Sequence, residues 1–473
     1  MKPYNPKEYS FEDASHLLRR AGFGGSIEDI EALRRLGVGL AAERLLSFSS
    51  FDGTERNPHD LDEQFNTARE AGRPVNQQVA STIPVAQAWW LYKMRVSREP
   101  LKEKMTLFWH GHFVSGLDKV RNGFMLQTQN ELFRRLALGK FETLTLEVAK
   151  DPAMLRYLDN NVNTKKKPNE NFAREVMELF TMGVNGGYTE RDIQEAARAF
   201  TGWTFTYKRN GSEAAIKNPE FVFNQKEHDT GNKTVLGQTG NWNGEDIVRI
   251  VVNHSSTPAY MVTKLWNFFV SPKISAETLS DLTTLWERSK GNIREVLREI
   301  FNSEEFYAPE NRFGLIKTPL EFVIGSLRAT KAALEPQHES ALSGILSRMA
   351  QIPFFPPDVS GWDGDIDWIA DTTMLNRLQY MATLASGNLP TAGRGKNGEI
   401  QGGNGPKKIP SLEWTMGSTL AQTIDLIGQT HLGSAPTGSL RRALELAAKG
   451  RNTPEVAKAL AYLTMISPQY HLN

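Results

Sequence analysis

Residues 169–203 read NENFAREVMELFTMGVNGGYTERDIQEAARAFTGW. At the helical period Phe172, Val176, Leu179 and Phe180 form an apolar face, while Asn171, Arg174, Glu175 and Glu178 recur three and four apart on the other side. Gly186-Gly187 then breaks the pattern. Thr189 with Asp192 reads as a capped start, and Ile193, Ala196, Ala197 and Phe200 supply the buried face of a second helix that stops at Gly202. Two amphipathic helices therefore sit side by side, and their outer faces are dense in carboxylates, amides and arginines. Ion pairs at helix spacing, such as Arg174 with Glu178, account for part of that density at about 0.2–0.5 kcal/mol each.

The same punctuation extends in both directions. Ser10 caps a helix with Phe11, Ala14, Leu17, Leu18 and Ala21 on one face and Gly22 at its end, and Ser26 starts another that runs to Gly37. Segments 77–98, 100–109, 124–138, 141–150, 152–158, 258–270, 276–289 and 293–301 carry the pattern, with Pro100 and Pro152 suited to first-turn positions. Alternating runs are scarce, the best being 204–207 opposite 221–224. The expected fold is mainly α, a large multi-helix single unit with at most a small β-hairpin. Its expected organisation is a helical body over 1–385, a flexible Gly/Pro/Lys-rich loop over 386–411, and C-terminal helices over 412–473 that pack back on the body.

With 55 basic and 54 acidic side chains in 473 residues, no global field recruits nucleic acid or an anionic membrane. The absence of cysteine removes disulfides, thiolate metal sites and cysteine nucleophiles. No window approaches the roughly 20 apolar residues of a membrane span. The N-terminus, MKPYNPKEYSFEDASHLL, has no apolar run that serves as a signal peptide, so the chain reads as soluble. Its compartment is unknown, and export is compatible with a leader removed beforehand.

Several residues suit chemistry. His110-Gly111-His112 closes a helical segment: if the helix runs on through Gly111 the imidazoles point about 200° apart, and only an extended chain lets both face one divalent metal ion. The alternative is a pair of histidines bonded to backbone at a helix end. Asn161, in the turn after residue 158, and Asn171 can extend the polar stripe toward a substrate. His228-Asp229 reads either as an acid/base pair or as loop ordering. Trp362 and Trp368 can stack on a sugar ring or belong to the core. The spacing Asp363-X-Asp365-X-Asp367 fails as an EF-hand loop, because Trp368 occupies the place of the turn glycine and Met374 that of the bidentate glutamate.

The 169–203 stretch resembles the signature of the DUF1800 family, a large bacterial group of undefined function. HLLRRAGFG at 16–24, FWHGHF at 108–113, HDTGNKTVLG at 228–237 and FPPDVSGW at 355–362 are similar to it as well, and the order and number of these strings make the resemblance specific. Its segments are rich in ionisable residues beyond what core packing requires. One reading is a hydrolase or lyase acting on a glycan or other polar polymer. In it Glu175 and Glu178 are the acid/base or metal-binding carboxylates, Arg174 orients one of them or binds an anionic group, and His110 and His112 bind metal or shuttle protons. The competing reading is a non-catalytic scaffold or partner-binding protein with a buried polar network. The resemblance also implies a sulfatase-like partner, since members are often encoded beside a second exported family that resembles sulfatases.

Overall fold

Helices begin where the sequence supplies a cap. Ser10, Ser26, Thr189, Asn243 and Thr318 each close a capping box, an arrangement whose N-cap contributes about 1 kcal/mol. The computed structural model of the chain describes all residues except 50–52, 55, 207–212, 363 and 395–399. Among the described residues the fold is mainly helical with three two-stranded antiparallel sheets. Among them no helix is long and apolar enough to cross a membrane.

The segment expected as one helix over 77–98 divides into Val75–Ala80 and Ile83–Val96. Pro84 lacks an N–H and takes a first-turn position in the second helix, so the hydrogen-bond ladder cannot run through it. Elsewhere Pro100 opens a helix that reaches His112. That helix is joined to Gly123–Leu136 by a sealed pair, the Arg134 guanidinium on both oxygens of Glu103 at 2.8 Å. Trp90, Trp109, Phe113, Phe141, Phe172 and Phe180 are fully buried in the same core. Burying such a ring contributes about 1.5–3 kcal/mol.

The stretch read first folds as two helices, with one departure. Glu170–Glu175 is α-helical, but Val176–Thr181 widens to a π-helix, in which the Met182 N–H donates to the Met177 carbonyl at 2.9 Å. The wider turn moves Glu178 off the spacing that would bring it to Arg174. Arg174 instead forks onto Glu190 at 2.8 and 2.7 Å and reaches Glu170 at 3.4 Å.

Trp203–Phe205 pairs with Phe221–Phe223 in the register Trp203↔Phe223, close to the expected hairpin, while Tyr207 lies outside the described residues. Lys233–Val235 and Gln238–Gly240 form a second hairpin. The 386–411 segment, read as a flexible loop, contains a third: Asn388–Arg394 pairs with Ile400–Lys408. Leu389 and Thr391 are buried there, and the first strand packs on the helix Pro336–Arg348. Pro390 and Gly393 mask that strand in the sequence, and its register is irregular on either side of Thr391. The helices Leu420–Leu432, Gly438–Ala448 and Pro454–Met465 share a small cluster around Ile424, Leu444 and Leu460, and Leu432 and Met465 join the main core.

Candidate functional site

Two glycines bring the 108–113 and 355–362 segments together. A Cβ on Gly361 would lie 2.4 Å from the Gly111 carbonyl, and Gly361 has φ +98°, a conformation that side chains rarely adopt. The close approach holds Trp362 against the end of the helix Pro100–His112, its ring 5.6 Å from that of His110. Between this helix, the helix Ser256–Phe269 and the 360–368 segment lies a cavity of about 340 Å³, lined by Phe108, His112, Lys264, Phe268, Trp362 and Trp368 among others. A recess of about 640 Å³ beside Leu33, Arg44 and Lys331 is larger but gathers none of the expected site residues.

The helix continues through His112, so the imidazoles of His110 and His112 diverge. His110 is caged by Trp90, Phe354 and Trp362, its Nε2 has no hydrogen-bond partner, and burial pushes it down to about 3. His112 sends Nε2–H to the Phe180 carbonyl at 2.9 Å. A carbonyl only accepts, so the neutral ring carries its proton on Nε2 and leaves the Nδ1 lone pair unengaged. Burial first, and Lys264 second, hold His112 well below the usual histidine range. These two rings do not fit one metal ion, and no group of three or more His, Asp or Glu placed to hold a metal occurs among the described residues.

Tyr260 ties the π-helix to two groups of the cavity lining, His112 and Lys264. Its hydroxyl donates to the Leu179 carbonyl at 2.8 Å, its ring lies 6.4 Å from that of His112, and the Lys264 ammonium lies 5.2 Å from its centroid. The π-helix thus presents two adjacent carbonyls, Leu179 and Phe180, to groups of the cavity wall. Burial, with Glu178 adding to it, raises the proton affinity of the half-buried Glu175, and no described group donates a hydrogen bond to it. Tyr157, raised mainly by burial, also feels Asp118, Asp358 and Glu175, so it lies within electrostatic reach of both Glu175 and the 355–362 segment.

The remaining expected residues are occupied structurally. Asn171 donates to the Leu158 carbonyl at 3.2 Å, and the Asn161 carbonyl accepts from Thr204 at 3.3 Å. His228 Nδ1 donates to the Thr201 carbonyl at 2.9 Å, while Asp229 is clamped by Arg198 at 2.7 and 3.2 Å and accepts from the Gly231 N–H. Neighbours in sequence, these two are bonded apart, and Arg198 holds Asp229 below the usual carboxylate range. Asp363 lies outside the described residues, and Asp365 and Asp367 are exposed.

Lys264 and Tyr260 escaped sequence reading. A single lysine in STPAYMVTKLWNFF reads as the solvated side of an apolar helix, and only the i, i+4 spacing of Tyr260 and Lys264 hinted that they share a face. Burial pushes Lys264 down to about 8.

The arrangement defines a helical protein with an aromatic-walled, basic cavity at the meeting of several ionisable segments. The chain belongs to the family described as Protein of unknown function (DUF1800), whose model matches residues 16–472. No curated protein and no solved structure matches it.

Proposed function

We propose that the chain is a hydrolase or lyase acting on a glycan or other polar polymer bound in the cavity of Trp362, Trp368, His112 and Lys264. The observation that carries this reading is the meeting there of two tryptophans, a neutral imidazole and an ammonium that forms no ion pair with any described residue. Flat aromatic faces suit the apolar sides of sugar rings, and convergent polar groups in a cavity are the usual mark of a binding site. In hydrolysis a base takes a proton from water and an acid gives one to the leaving oxygen. We assign the first role to His112, whose Nδ1, sealed in the free chain, must open to the cavity when the polymer binds, and the second to Glu175, whose proton affinity is raised by burial and then by Glu178. No step is assigned to a metal, because His110 and His112 diverge.

A non-catalytic scaffold, with a sulfatase-like protein as partner, has its own support in the bonding of Arg174, Asn171, His228 and Asp229 to other groups of the chain. Incubation with a panel of neutral and acidic polysaccharides separates the readings. Hydrolysis releases reducing ends alone, and a lyase also gives an unsaturated, ultraviolet-absorbing product. The enzyme reading predicts release that Trp362→Ala abolishes. Failure of every polymer to bind or to be cleaved would favour the scaffold.

A further inference from the structure

Among the described residues the charge around the cavity is not balanced. Glu321 lines it, but both oxygens of Glu321 are taken, one by the Lys104 ammonium and the other by the Thr318 N–H at 2.7 Å. Arg20 and Arg377 are buried within reach of this single carboxylate. Each gives one nitrogen to a carbonyl, Arg20 to Val270 and Arg377 to Lys317 at 2.7 Å, and each leaves Nε and Nη1 without a partner. Burial lowers Arg20 to about 9 and Arg377 to about 10, so both are charged at neutral pH. Three cations, Arg20, Lys104 and Arg377, thus surround one carboxylate. Lys264, on the cavity lining with Glu321, forms no ion pair with any described residue. Buried cations are ordinarily paired, and unpaired ones in a low-dielectric wall project positive potential into the adjoining space.

We infer that the cavity takes a ligand bearing an anionic group, a carboxylate or another oxyanion, which Lys264 receives, with Arg20, Lys104 and Arg377 around Glu321 adding to the positive potential. With Trp362 and Trp368 as walls, the ligand class is an acidic sugar, its ring against indole and its anion on the ammonium. This deepens the proposed function and rests on the cavity being the working site.

Titration calorimetry on the full chain, with chloride holding ionic strength constant, tests it with three probes: glucuronate, inorganic sulfate and glucose. Glucuronate binds saturably and glucose more weakly or not at all. Lys264→Gln weakens anion binding about tenfold or more, as expected for loss of a charge-assisted hydrogen bond, and Lys264→Arg retains it. Glucuronate tighter than sulfate points to a sugar-borne carboxylate, and the reverse order to a free or esterified oxyanion. Glucose binding as tightly as glucuronate, no saturable binding of either anion, or anion binding unchanged in Lys264→Gln would overturn the inference. Anion binding that depends on Lys264, without cleavage of any polymer, keeps the inference and removes the enzyme reading. Cleavage of neutral polymers that Lys264→Gln leaves intact does the opposite.

Discussion

His112 donates its Nε2–H to the Phe180 carbonyl at 2.9 Å. Phe180 stands in the last turn of a helix, where carbonyls lack an internal partner, and the π-helical widening from Val176 turns it and Leu179 toward the cavity wall. One bond therefore fixes the histidine tautomer and joins the 108–113 segment to the 169–203 stretch.

Gly361→Ala is expected to destabilise the chain by at least about 2 kcal/mol. Its Cβ would meet the Gly111 carbonyl at 2.4 Å in a backbone conformation unsuited to side chains. Chemical denaturation followed by tryptophan fluorescence reads the loss and the displacement of Trp362. A stability within about 0.5 kcal/mol of the parent would mean that the two segments are not clamped as described.

Asp151 gives a pH signature. Burial raises its carboxyl to about 7, so the folded chain holds that proton more tightly than the unfolded chain, whose carboxyl titrates near ~3.9. The associated stability is complete below about pH 4 and is lost as pH rises through 7. Asp151→Asn keeps the Oδ1 acceptor for the Met154 N–H and for Gln129 Nε2. At pH 8 it should be more stable than the parent by roughly 4 kcal/mol, and at pH 4 by little. Thermal denaturation at both values checks this, and a variant weakened at pH 8 would refute the assignment.

Local chemistry was readable in advance, because caps act within four residues: Ser10, Ser26 and Thr189 start helices where the sequence says they do. The π-helix was not, since its carbonyls are satisfied by His112 and Tyr260, about 70 and 80 residues away in the chain. The Asn388–Arg394 strand escaped for a similar reason, its signal diluted by glycine and supplied by packing on Pro336–Arg348. Gly361 belonged to a quoted string, but its necessity shows only in the approach to Gly111. Lys264 carries a meaning set wholly by what surrounds it.

Glu175→Gln separates a working carboxylate from a structural one. Among the described residues no cation is bonded to Glu175, and its proton affinity is raised by burial and then by Glu178, so removing its charge relieves a small penalty once pH exceeds its folded value. Solvent screening limits the gain to no more than about 0.5 kcal/mol. Stability should hold while polymer cleavage falls about 10²-fold or more. A loss of several kcal/mol would instead reveal a buried cation partner for Glu175.

The central claim, that the cavity beside His112 does the chemistry, is tested most directly by the cleavage rate of His112→Gln on whichever polymer the parent degrades. Glutamine can keep a donor for the Phe180 carbonyl while removing the Nδ1 lone pair. The account predicts a folded variant with kcat lowered about 10²–10⁴-fold and KM little changed. Cleavage at the parental rate by a folded His112→Gln would contradict it.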